Sequence, residues 1–211
     1  MEYAEHTDVT LNTAFDNLTK GDKYMIVNIG EETMDITVHS RANLGKHLDH
    51  FVFQYTGPGG GNSVNRKLVD LLRRNYSSYF EQSRNPDINQ YFINQFQYFI
   101  RKPETQMIQL HAPGMGKEMV INAEELDSLF DEPIKQILQN LKDVFNKEKV
   151  HEVNLVGGFA ECLRVQSAVL DFLKDKNVLV PTKHDILMLK GGIFYLKQLV
   201  NKSLETYEVT I

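Results

Sequence analysis

The sequence predicts an α/β fold: a mixed sheet in the order β-β-β-α-β-α-β-α, with helices on its faces and a small α+β satellite. Three observations carry this expectation. Residues 24–56 read as three successive strands joined by tight turns, an antiparallel meander. Residues 123–211 alternate helical and strand patterns, as in a sheet with helical crossovers. Between them, Gly57-Pro58-Gly59-Gly60-Gly61 breaks the strand pattern.

Taken in order, residues 1–20 are polar and form an N-terminal extension, with Leu11, Phe15 and Leu18 on one face of a short helix. Lys20-Gly21-Asp22 is a turn, and residues 24–29 are an apolar strand. Gly30 allows the chain to reverse. Residues 33–39 then alternate, Ile36 and Val38 on one side, Asp35 and Thr37 on the other. A third strand is expected at 47–56. Asn62 or Ser63 is placed to cap a helix carrying Val64, Leu68, Leu71 and Leu72. The satellite is expected at 77–122: a polar loop or helix end (77–89), an aromatic-rich stretch (91–100) and two short strands about Pro113-Gly114. Residues 123–147 are a helical run that Pro133 should break or kink. A buried strand at 150–156, the tight turn Gly157-Gly158, a helix at 160–174 and a strand at 178–180 follow. A helix at 185–200 and a strand at 206–211 complete the lobe, whose core is 21–76 and 123–211.

Hydrophobic residues make up 42% of the chain and charged residues 24%, the composition of a globular domain. The net charge of -5 disfavours nucleic acid and anionic membranes as partners, since both select basic surface. One cysteine, Cys162, cannot form an internal disulfide, so a reducing compartment and a cytoplasmic location are expected. The first residues lack an apolar core, so no signal peptide is expected. No apolar run approaches the roughly 20 residues of a membrane span. Glycosylation patterns at Asn17, Asn75 and Asn201 read as chance.

Several stretches carry a family resemblance over roughly residues 20–200. Gly21-Asp22-Lys23-Tyr24 leading into Thr33-Met34-Asp35-Ile36-Thr37-Val38-His39 resembles the phosphate-binding hairpin of a divergent branch of the 70-kDa heat-shock proteins, family member 12, A and B forms. Gly57-Pro58, with Val64 and Leu71-Leu72, resembles its glycine turn and following helix. Leu155-Val156-Gly157-Gly158-Phe159-Ala160-Glu161 is similar to its adenosine-contacting turn, and Leu189-Lys190-Gly191 to its last helix. The resemblance implies an actin-like, ribonuclease-H-like ATPase lobe, the second lobe of a nucleotide-binding domain. Nothing resembles the first phosphate loop, the catalytic lysine or a peptide-binding domain. The chain is expected to be either a fragment or a short form that has lost half the cleft. The nucleotide-binding residues implied are Asn28, Gly30, Thr33, Asp35, Gly60, Gly157, Gly158 and Phe159, with ATP or ADP as ligand and Mg²⁺ weakened.

The family hairpin reads aspartate, spacer, three glycines, threonine, spacer, aspartate. Gly30, Thr33 and Asp35 match, whereas Asn28, Glu31 and Glu32 depart. Asn28 keeps an oxygen but loses the charge a divalent cation prefers. Glutamates occupy space that glycines leave open and resist positive φ. A carboxylate about 4 Å from a phosphate charge costs about 4 kcal/mol at an effective dielectric of 20, or about three decades of affinity. Three readings stay open: hydrolysis, weak or conditional nucleotide binding, and no useful affinity. In the last, the hairpin is a core strand pair with a solvated acidic tip.

Other candidates carry less. The Gly157-Gly158 turn serves the fold with or without a ligand. Gly57 to Gly61 is no dinucleotide fingerprint, because the third glycine would fall at Asn62. Gly114-Met115-Gly116-Lys117 lacks the phosphate-loop spacer and reads as a turn. Glu31, Glu32 and Asp35 could form a cation site, without any loop spacing that supports one. His47 and His50 flank Asp49 off one face. Cys162 at a helix start is either an activated thiol or a buried structural cysteine. The aromatics at 91–99 are satellite core or a partner surface. The expected function is a pseudo-ATPase with a chaperone-related role and protein partners or clients, self-associating through its exposed cleft face. The alternatives are a nucleotide-independent scaffold lobe, or part of an ATPase completed by a first lobe.

Overall fold

The computed structural model describes residues 18–41, 50–102 and 106–180. The chain forms β1 (Lys23–Ile29), β2 (Met34–Ser40), β3 (His50–Gly57), α1 (Asn62–Asn75), α2 (Ser77–Gln82), α3 (Ile88–Ile100), β4 (Ile108–His111), β5 (Glu118–Ile121), α4 (Ala123–Phe145), β6 (Glu152–Val156), a 3₁₀ turn (Phe159–Glu161), α5 (Leu163–Phe172) and β7 (Asn177–Leu179). The readings at 1–17, His47, Asp49 and 181–211, Leu189-Lys190-Gly191 among them, lie outside the described residues.

The expected mixed sheet is present, in the order β3-β2-β1-β6-β7. β1 is antiparallel to β2 and parallel to β6, and β6 is parallel to β7. Alternation assigns the faces. Met25, Val27 and Ile29, their partners Val38, Ile36 and Met34, and Val153 and Leu155 are fully buried on one side. Tyr24, Asn28, Asp35, Thr37, His39, Glu152 and Asn154 register together on the other, more polar side.

The apolar side joins one continuous core. In α1, Val64, Leu68, Leu71 and Leu72 recur at helical spacing and are buried. In α3, Ile88, Phe92, Phe96 and Ile100 recur every fourth residue, so the aromatic stretch is a helix with a buried stripe. Ile108, Leu110, Met119 and Ile121 bring the two-stranded β4–β5 ribbon into the same cluster. Gly114 (φ 77°) and Gly116 (φ 69°) turn that ribbon.

Three local expectations are corrected. No side chain caps α1: Gly61 occupies the N-cap, and the Ser63 hydroxyl instead donates to the Gly60 carbonyl at 2.7 Å. Pro133 does not break α4, which runs unbroken from Ala123 to Phe145. The helix starts on a full capping box, Asn122 with Glu125, and buries Pro133 beside Leu129, Phe130 and Ile137. Packing and a strong cap there outweigh one missing N–H. Residues 77–82, expected as loop or helix end, form the separate helix α2, divided from α1 at Tyr76.

Candidate functional site

Parallel pairing of β1 and β6 brings their carboxyl ends together, with Asn28 opposite Val156. The hairpin after β1 and the glycine turn after β6 therefore share one rim, where open α/β sheets place ligands. The glycine run after β3 reaches the same rim, because β3 returns through β2 to the hairpin, with Met34 opposite Gly57. Three turns that are far apart in sequence thus meet.

The hairpin tip, residues 30–33, is closed by the Gly30 N–H donating to the Thr33 carbonyl at 2.9 Å. Gly30 does not take the left-handed backbone that a glycine would permit. Gly61 N–H donates to the Gly30 carbonyl (3.1 Å) and Asn62 N–H to the Glu31 carbonyl (2.7 Å). The Asn62 amide also donates to the Glu32 carboxylate. A Cβ on Gly60 would stand 2.3 Å from the Glu31 carbonyl oxygen. Gly60 is therefore where two backbones touch. Gly157 does the same on the far side: at φ 102°, its Cβ would lie 2.4 Å from both Asn28 Oδ1 and the Ile29 carbonyl oxygen. Gly61 lets the Phe159 ring lie against the chain, 3.1 Å from where its Cβ would be.

These contacts frame a cavity of about 170 Å³ lined by Glu31, Gly61, Asn65, Gln97, Ile100, Arg101, Gly158, Phe159 and Cys162. Of the residues expected to bind nucleotide, Gly158 and Phe159 line it. Asn28, Gly30, Thr33, Asp35, Gly60 and Gly157 do not line it, and of these Gly30, Gly60 and Gly157 hold the turns around it together. Gln97 and Ile100 come from α3 and Arg101 from its C-cap, and none carries a motif. The signal was their spacing: 97 and 101 lie on one helical face beside the buried 92–96–100 stripe. A stack of rings, Phe159 on Phe130 and Phe130 on Phe96, each with centroids 6.4 Å apart, ties this wall to the core of α3. A second, more open cavity of about 490 Å³ shares Gln97 and Arg101 and adds Asn94, Tyr98 and Lys102.

The charges at the rim are predominantly negative. Glu31 and Glu32 are exposed at the tip. Arg101 is the cavity's cation, with Glu161 at 4.0 Å beside it. Burial pushes the Cys162 thiol up, so it is a structural cysteine and not an activated one. The cation reading of Glu31, Glu32 and Asp35 is corrected: among the described residues no group of three or more acidic, histidine or cysteine side chains could hold a metal. Asp35 is instead occupied by two hydroxyl donors, Thr56 at 2.7 Å and Thr33 at 3.0 Å. The Asn28 oxygen is packed against Gly157. The residues that the resemblance offers to Mg²⁺ thus do not fit it in this arrangement.

No family model matches the chain. It is similar to heat shock 70 kDa protein 12A of Mus musculus, 26% identical over 220 residues, covering 84% of this chain and 32% of that protein. The Homo sapiens protein 12A is 25% identical over the same extents, and Homo sapiens heat shock 70 kDa protein 12B is 22% identical over 83% of this chain and 31% of its own length. The chain spans about a third of the length of these curated relatives. The resemblance to the 12A/12B branch of the 70-kDa heat-shock proteins, read from the hairpin and turns, is borne out. Among the described residues no helix is long and apolar enough to cross a membrane.

Proposed function

We propose that the chain is an actin-like nucleotide-binding lobe with a degenerate phosphate hairpin, a pseudo-ATPase whose weak, regulatory nucleotide binding serves a chaperone-related role. The mixed sheet is compatible with such a lobe, and similarity to the 12A and 12B proteins supports a heat-shock-70-like nucleotide-binding domain. The observation that carries the reading is convergence: Glu31 of the hairpin, Gly61 of the glycine turn and Gly158-Phe159 after β6 wall one cavity. Catalysis of phosphoryl transfer rests on positioning and charge neutralisation, and an acidic tip without a metal ligand set offers neither. The lobe acts in the cytoplasm on protein partners or clients.

Calorimetric titration with ATP and ADP, with and without Mg²⁺, tests this. Binding at micromolar to low-millimolar concentration is expected, with no added affinity from Mg²⁺ and no hydrolysis above background. Absence of binding at several millimolar would overturn it. That outcome would favour a nucleotide-independent scaffold lobe, for which one observation already speaks: the Gly61 and Asn62 amides are bonded to the hairpin and not offered to an anion. Robust hydrolysis after mixing with a separate first lobe would instead establish an ATPase completed in trans. The isolated lobe is also expected to self-associate through its cleft face. Sedimentation should show a concentration-dependent rise in mass, and a clean monomer at high concentration would count against it.

A further inference from the structure

We infer that the cavity selects an uncharged ribonucleoside over nucleoside polyphosphates, with Glu31 as the acceptor for the ribose hydroxyls. This rests on the nucleotide-lobe reading and names the ligand class of the same site.

Three features of the wall lead there. First, the N–H groups at the start of α1, which a phosphate at this rim would draw on, are used internally. The Gly61 and Asn62 amides at the start of α1 are bonded to the Gly30 and Glu31 carbonyls, and the Asn62 side chain holds Glu32. A helix N-terminus binds anions through its open N–H groups, and these two are spent. Second, the charges facing the space repel phosphate. Glu31 lines the cavity, Glu32 stands beside it, and the one lining cation, Arg101, has Glu161 at 4.0 Å. Each added phosphate group brings further negative charge against that rim.

Third, the remaining lining suits a base and a sugar. Phe159 and Ile100 give apolar wall, and the Arg101 guanidinium offers a planar face. Asn65 and Gln97 carry amides that both donate and accept, as the edge of a base requires. A Cβ on Gly158 would meet nothing within 4 Å, so that wall has room. A carboxylate with two acceptor oxygens matches the two donors of a vicinal diol, the way acidic residues hold ribose in dinucleotide folds. Glu31 thus both repels phosphate and holds the sugar.

The test is a titration series on the full chain with adenosine, 2′-deoxyadenosine, AMP, ADP and ATP without metal, repeated on Glu31→Gln. Adenosine should bind tightest. ATP should be at least about tenfold weaker, and 2′-deoxyadenosine about tenfold weaker. In Glu31→Gln, the preference for adenosine over ATP should shrink by about tenfold or invert. Because the first series needs no variant, the inference stays open to refutation even if Glu31→Gln folds poorly. ATP binding as tightly as adenosine in the parent chain would overturn the inference while leaving the nucleotide reading intact. An unchanged ratio in Glu31→Gln would remove Glu31 from it. No binding of any adenine compound would overturn both.

Discussion

Gly157 and Gly158 are neighbours with opposite requirements. Gly157 sits at φ 102° with Asn28 and Ile29 where a Cβ would go, whereas Gly158 faces open space. Gly157→Ala should therefore lower stability by about 2–4 kcal/mol, and Gly158→Ala by no more than about 0.5, measured from urea midpoints. The sequence shows both as one tight turn. Which of the two is indispensable depends on the backbone of β1, which only the folded register brings alongside. Glu152 is equally hidden from sequence reading. It stands in a strand of buried type, 1% exposed, with one carboxylate oxygen lacking any partner. Burial pushes its carboxyl above the usual range, against the milder opposing effect of the polar Asn154 side chain nearby and of the Asn177 amide, which donates to its other oxygen at 3.2 Å. A raised folded-state value means that its contribution is fully present below the ordinary carboxylate range and lost as pH rises through the raised value. Glu152→Gln should therefore melt above the parent chain at neutral pH, with the gap closing near about pH 4. A constant gap across that range would refute the assignment.

Among the elements, α4 matters most to the rim. Asn140, buried near the C-terminal end of the helix, accepts from the Tyr55 hydroxyl at 3.0 Å and donates to the Pro58 carbonyl at 2.7 Å. One side chain thereby fixes the end of β3 and the start of the glycine run to the helix beneath them. Asn140→Leu should cost about 2–4 kcal/mol, because it leaves buried polar groups on two elements unpaired. It should also weaken ligand binding without touching the ligand, as calorimetry alongside chemical denaturation would show. Elements with strong periodicity, such as α1 and the β1–β2 hairpin, were legible from spacing alone. α3 was less so, because its aromatics suit strand and helix alike, and its four-residue stripe decides only once Phe92 and Phe96 have a core to enter. Pro133 misled for the opposite reason: a local rule yields where a capped, buried helix surrounds the exception.

For the whole molecule, the mixed α/β class could be anticipated because a meander followed by helix–strand alternation has few compatible arrangements. The strands that carry the hairpin and both glycine turns could be located along the chain that way, though not their order across the sheet. The cavity itself could not, since a third of its lining comes from α3 and its C-cap, whose approach depends on the Phe96–Phe130–Phe159 stack. The parallel pairing of β1 with β6 has a consequence for how the chain is made. Lys23 takes His151, 128 residues later, as its neighbour, accepting from its N–H at 2.8 Å and donating to its ring nitrogen at 3.4 Å. During synthesis, the central strand emerges early and keeps an open edge until β6 leaves the ribosome. Long-range pairings of this kind are slow to form, and unpaired edges recruit other chains. The nascent chain is therefore at its most vulnerable in the interval between the two strands, and a translational stall before residue 150 yields a species that needs protection from its neighbours.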